Sequence, residues 1–150
     1  LRASGAEGDY LAELRRLGID DIVRLEPPVD YLAALREMLS VDGLLLLQAA
    51  NCNAQIPAKL YEYLRARRPI LALTDPQGDT ARTLRKLQTG RVARLESAEE
   101  IGTALMQFIE EVRRGSIGVP SETTVSRYSR KSETGELACL LDRAVSGKFL

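Results

Sequence analysis

Between Gln48 and Glu62 this chain places the groups best suited to hold a phosphorylated ligand. A polar, amide-rich loop from Gln48 to Gln55 runs into Pro57, and Lys59 and Glu62 follow at helical spacing. Proline in the first turn of a helix wastes no hydrogen bond, because the N–H it lacks has no partner inside the helix. The other free N–H groups and the helix dipole favour an anion there by roughly 0.3–1 kcal/mol. Pro57, Lys59 and the amides up to Leu60 can therefore take a diphosphate. The plainer alternative is an ordinary helix start in which Lys59 pairs with Glu62 across one turn, worth about 0.3 kcal/mol. Glu62 falls opposite the apolar stripe Leu60, Tyr61 and Leu64, which suits a solvated carboxylate. Arg65, Arg67 and Arg68 end the same helix, where dipole and solvation explain cations without a further role.

The hydrophobic pattern supplies the scaffold that must position these residues. Tyr10, Leu11, Leu14 and Leu17 recur at helical spacing, with Gly18 as the stop. Ile22 to Leu25 reads as a short strand closed by Pro27-Pro28, and Asp30 caps a helix striped by Tyr31, Leu32, Leu35, Met38 and Leu39. Gly43 to Leu47 is an unbroken apolar run of strand length, as expected for a parallel strand buried on both faces. The helix from Pro57 gives way through Pro69 to a strand, Ile70 to Leu73, and the turn Gly78-Asp79 opens another helix that ends near Gly90. Val92 to Leu95 is a last strand. Ser97 with Glu100 forms a capping-box signature, opening a helix with Ile101, Ala104, Leu105, Phe108, Ile109 and Val112 on one face. This alternation predicts the α/β class, a doubly wound parallel sheet of Rossmann-like type, with strand ends converging on residues 26–30, 48–59 and 74–79.

Composition narrows the chemistry. The 150 residues carry 21 basic and 21 acidic side chains, a formal net charge of +0. Nucleic-acid binding rests on an excess of Lys and Arg, so no nucleic-acid partner is expected. There is no histidine, which removes the commonest general base and metal ligand together. Cys52 and Cys139 lack metal-site spacing, and a reducing compartment is expected. No apolar run approaches the ~20 residues of a transmembrane span.

The segment Lys59-Leu60-Tyr61-Glu62-Tyr63-Leu64, followed by Arg68-Pro69-Ile70-Leu71, resembles the donor-binding lobe of retaining GT-B glycosyltransferases, the family-four-like sugar transferases of polysaccharide biosynthesis. With its flanking elements the likeness extends over most of residues 1 to 115. It implies a C-terminal domain that holds a nucleoside diphosphate sugar, for transfer to an acceptor bound by an N-terminal domain outside this chain. It also implies no cofactor, and a location in the cytoplasm or, for the full-length protein, at the periphery of the inner membrane. On this resemblance the diphosphate lies at Pro57 to Leu60, and Glu62 accepts the ribose 2′- and 3′-hydroxyls. A carboxylate suits a vicinal diol because it offers two acceptors and no donor, a bond worth roughly 1.5–3 kcal/mol. Val29, after Glu26-Pro27-Pro28, belongs to the apolar wall of the nucleobase. Ala54 stands where the family usually has a further Glu, leaving Asn53 and Gln55 to contact sugar hydroxyls. The resemblance assigns no catalytic residue.

The expected organisation is a lobe over residues 1–115 with its first strand truncated, a linker rich in Gly, Ser, Thr and Pro over 116–128, and a helical tail over 129–150. Leu1 to Gly5 reads as the tail of a central strand, as in a fragment that lacks its N-terminal half. The tail carries Leu137, Leu140, Leu141, Ala144 and Val145 on one stripe, so self-association through that helix is expected. Two other classes compete: a non-catalytic Rossmann-like or flavodoxin-like binding module, and a nucleotide-sugar epimerase sharing the GT-B fold. The missing histidine counts against the epimerase, and the Lys59–Leu64 wording counts against a generic module.

Overall fold

The computed structural model describes Gly5 and residues 7–147, and the chain falls into two compact units, Leu1–Glu37 and Met38–Leu150. The strand expected at the extreme N-terminus lies outside the described residues. In the first unit, α1 spans Glu7–Leu17 and stops at Gly18, whose φ is +66°. Asp30 accepts the Ala33 N–H at 2.9 Å and opens α2, Tyr31–Ser40, as its residue type dictates.

Ile22 to Leu25 is not a strand. The N–H groups of Ile22 and Val23 both return to the carbonyl of Ile19, at 3.1 and 3.0 Å. That local turn consumes the donors a ladder would need, and only an isolated bridge at Glu26 remains.

The second unit is built on a three-stranded parallel sheet in the order β1 (Leu44–Leu47), β2 (Ile70–Leu73), β3 (Arg91–Ala93). Two crossover helices, α3 (Ala58–Ala66) and α4 (Asp79–Leu87), pack on one face, and α5 (Ala98–Arg114) packs on the other. The strand period of two explains the split. Ile70 and Ala72 point to Leu60, Leu64 and Leu84, while Leu71 and Leu73 meet Ala104 and Phe108. A doubly wound α/β unit is thus shown. The run Gly43 to Leu47 differs from its expectation: Leu44 and Leu46 are buried, but Leu45 is 40% and Leu47 58% exposed. Its register sets those two beside Leu71 and Leu73, on the face that α5 covers chiefly over β2 and β3. An unbroken apolar run therefore did not require burial on both sides.

Residues 116–128 cross the molecule with specific contacts. Ile117 packs beside the α5 cluster. Gly118 passes so close to α4 that a Cβ there would sit 2.3 Å from the Gln88 carbonyl oxygen. Pro120 is buried and accepts a bond from Arg67 Nε at 3.2 Å. Ser121 then caps α6 (Glu122–Arg127), and Ser129 caps α7 (Arg130–Val145). Tyr128 between them rests against Tyr61 of α3 with ring centroids 6.2 Å apart. Beyond Ser132 the described residues of α7 are all exposed, including Leu137, Leu140, Leu141 and Val145.

The turn from α4 into β3 makes a sharp test of this packing. Gly90 has φ +79°, and a Cβ there would lie 1.8 Å from the Ile70 carbonyl oxygen. Gly90→Ala is expected to destabilise the protein by more than about 2 kcal/mol. Gly102, inside α5 with nothing within 4 Å of its Cβ position, should instead gain about 0.5–1 kcal/mol as Ala. Urea unfolding of the two variants checks both signs, and equal responses would contradict the packing described.

Candidate functional site

Parallel strands send their C-terminal ends the same way, so the loops after β1 and β2 emerge side by side. The first, residues 48–57, begins at Gln48, which is buried against Thr74 at the end of β2. Thr74 Oγ1 donates to Gln48 Oε1 at 3.2 Å, while Gln48 Nε2 donates to the carbonyls of Cys52 and Gln55 at 2.9 and 2.8 Å. A single 3₁₀ turn, Ala50–Cys52, follows from the Cys52 N–H bonding Ala49 O.

Asn53 ties this loop to the next. Its Nδ2 donates to Asp75 Oδ2 at 2.5 Å, and its carbonyl accepts the Asp79 N–H at 3.0 Å. Asp75 in turn receives the Gln77 N–H on its other oxygen at 2.8 Å, which shapes the turn into α4. The Asn53 amide is held in this orientation by charge, since a flip would aim its carbonyl at the Asp75 carboxylate. Its Oδ1 is buried with no partner among the described residues.

Two helices therefore start at one edge, and neither has a side-chain cap. The N-cap of α3 is Pro57 and that of α4 is Gly78, with no side-chain bond at either. By contrast Asp30, Ser97, Ser121 and Ser129 each cap their helix. The two uncapped starts differ in charge. The first turn of α3 holds no acid and carries Lys59. The first turn of α4 holds Asp79, with Asp75 just before it, and Asp79 is paired with Arg82. At α4 the acids are offset by Arg82 and Arg85, which also bond the Gln77 and Pro76 carbonyls; an anion is favoured at α3, whose first turn holds no acid.

The expected site residues divide accordingly. Gln55, Pro57 and Lys59 lead into α3, whereas the Asn53 side chain is committed to Asp75 beside the start of α4. Lys59 Nζ meets Glu62 Oε2 at 3.1 Å on the solvent side of the helix, as the plainer reading of that spacing has it. Leu60 is fully buried, and its N–H goes to the Pro57 carbonyl at 2.9 Å. It anchors α3 in the core. Gln55 contributes its carbonyl to Gln48, and its side chain is exposed. Val29 is 40% exposed and belongs to the first unit.

Gln48, Thr74 and Asp75 were not singled out by sequence. A polar residue directly after an apolar strand was the only signal for Gln48, and the Asn53–Asp75 tie spans 22 positions with no local pattern at all. The arginines at the end of α3 have structural work as well. Arg67 adopts the left-handed conformation that ends the helix and bonds Pro120 O, and Arg68 bonds the Leu39 carbonyl.

Burial raises the pKa of Tyr63, an effect Lys59 opposes and Glu62 reinforces; its hydroxyl lies 3.4 Å from Leu45 O. Burial also raises Tyr61, helped by Glu133 and Tyr128. Among the described residues no group of three or more His, Cys, Asp or Glu could hold a metal. A cavity of about 370 Å³ lies elsewhere, at the start of β3. Its Arg91 is already neutralised by Glu111 at 2.5 Å, and the bond to Arg91 keeps the Glu111 carboxyl below its ordinary range.

No family model, curated protein or solved structure matches this chain. No helix among the described residues is long and apolar enough to cross a membrane.

The Asn53 tie sets an expectation for stability. Asn53→Ala removes a bond to a charged group but also an unpaired buried acceptor, so the net loss is about 1–2 kcal/mol. Asn51→Ala, at an exposed position of the same loop, should stay within about 0.5 kcal/mol. Urea midpoints decide between them, and an equal loss at both positions would remove the tie from the account.

Proposed function

We propose that this chain is the C-terminal, donor-binding lobe of a retaining GT-B glycosyltransferase that moves a sugar from a nucleoside diphosphate to an acceptor held by an upstream domain. The observation that carries the reading is the uncapped start of α3 at the C-terminal edge of a parallel sheet, with Lys59 and no acid in its first turn. Edges of this kind bind phosphorylated ligands in open α/β sheets. In this reading the first-turn amides after Pro57 and the Lys59 ammonium hold the diphosphate as it leaves. Gln55 faces the sugar hydroxyls, while Asn53, its amide committed to Asp75, positions the loop. Lys59 must exchange Glu62 for phosphate, which is easily done because an exposed ion pair is worth only about 0–1 kcal/mol. Glu62 is then free to accept the ribose hydroxyls. The lobe by itself is a binding unit, inactive without its acceptor domain. It acts in the cytoplasm, with the full-length protein at the inner membrane periphery.

In the full-length enzyme, Glu62→Gln is expected to raise the donor Michaelis constant about ten- to a hundred-fold, the effect of losing roughly 1.5–3 kcal/mol. Its melting temperature should barely move, because Glu62 lies off the buried face of α3. Unchanged donor kinetics would return Glu62 to a solvated ion pair. A chain that binds NAD and ignores every nucleotide sugar would favour the non-catalytic module.

We also propose that α7 joins a second copy of the chain. Its apolar side chains Leu137, Leu140, Leu141 and Val145 are exposed, and its Arg130, Lys131 and Arg143 are balanced by Glu133, Glu136 and Asp142. Balanced charge suits another copy better than an anionic membrane surface. Sedimentation is expected to show a dimer or higher species, and removal of residues 133–150 a folded monomer. A monomeric intact chain would end this proposal.

A further inference from the structure

We propose that Gln48 is a positioning residue that presets the start of α3 for a diphosphate; this rests on the nucleotide-binding reading above. Gln48 is 8% exposed and sits where β1 ends. Its backbone N–H still belongs to the sheet, bonding Leu73 O at 3.0 Å. Its side chain already belongs to the loop, since Nε2 donates to Cys52 O and Gln55 O and Oε1 accepts from Thr74. One side chain thus fastens the loop to both β1 and β2.

The chemistry of the bond set limits what can replace it. The site presents two carbonyl acceptors on one side and a hydroxyl donor on the other. A neutral carboxamide offers two N–H donors and one oxygen acceptor on a single planar group, and glutamine has the reach to span them. Methionine has similar volume but no donor, so both carbonyls would lose their side-chain partner. A glutamate would set an anion against two carbonyl oxygens. The orientation is also unambiguous, because a flipped amide would oppose oxygen to oxygen twice.

The consequence lies two residues further on. The Gln55 carbonyl directs Ile56 and Pro57, and Ile56 packs on the core cluster of Leu46, Leu60 and Leu64. Fixing Gln55 therefore fixes where Pro57 enters α3 and where the first-turn N–H groups point. A loop held in place ahead of binding spares the ligand the cost of ordering it. Gln48 touches no ligand in this arrangement; it acts through the loop.

Gln48→Met and Thr74→Val test the proposal against the wild-type chain, with ADP, GDP and UDP and the matching monophosphates as probes. In Gln48→Met, amide exchange at Cys52, Gln55 and Leu60 is expected to accelerate at least tenfold, while Leu44 and Thr89, bonded to Pro69 O and Leu84 O, keep their protection. The advantage of the diphosphate over its monophosphate should fall at least tenfold. Loss of packing alone would weaken both nucleotides alike and leave that ratio unchanged. Thr74→Val removes only the donor to Oε1 and should give the same pattern at smaller size, which keeps the test intact if Gln48→Met does not fold. Unchanged exchange at Cys52 and Gln55, or a looser loop with the ratio intact, would overturn the role of Gln48 while nucleotide binding stands. A wild-type chain that binds none of the diphosphates would overturn the nucleotide reading, and this role with it.

Discussion

The arrangement of the second unit depends on the parallel pairing of β2 between β1 and β3. Residues 70–73 are buried on both faces, so β2 can be satisfied only if each edge is paired and each face is covered. Pairing in register with Leu44–Leu47 and Arg91–Ala93 meets the first demand. Parallel neighbours need crossovers, and crossovers of one hand lay α3 and α4 on the same face. After β3 the chain turns to the opposite face, where α5 closes the other side. Once that is settled, the loops after β1 and β2 have nowhere to emerge except together.

Electrostatics then separates two helix starts that are alike in backbone. Proline and glycine leave both N-termini without side-chain caps, yet the first turn of α3 carries Lys59 and no acid, while that of α4 carries Asp79 paired with Arg82. Asn53 holds the two apart at fixed spacing by bonding one loop with its carbonyl and its amide. The proposed division of labour follows: phosphate at α3, and neutral hydroxyl-bearing groups toward the carboxylates. The tail adds a mechanical element, since Arg67 and Tyr61 of α3 are both engaged by residues 120–128.

The sequence was legible where local rules and tertiary demands coincide. Ile70 to Leu73 has strand length, a preceding proline and a following turn, and its observed bounds match. Ser97 and Asp30 cap their helices because a side-chain oxygen near free N–H groups needs nothing from the rest of the fold. Ile22 to Leu25 failed because a helical turn from Ile19 satisfied the same N–H groups more cheaply in chain length than a distant strand. Leu45 and Leu47 failed because composition does not say how far a covering helix extends. At the site, Pro57, Lys59 and the amide-rich loop were visible as types in a pattern. Gln48 and Asp75 were not, because their roles rest on distances between segments that only the folded chain brings together.

The central claim is that the start of α3, and not that of α4, recognises the diphosphate. Backbone amide shifts during titration of the chain with ADP, GDP and UDP address it directly. The account predicts that for at least one of them the largest saturable shifts fall on Ala58, Lys59 and Leu60, with Thr80 and Ala81 at the start of α4 little changed. Largest shifts at Thr80 and Ala81, or around Arg91 and Glu111, or no saturable response to any of the three, would contradict it.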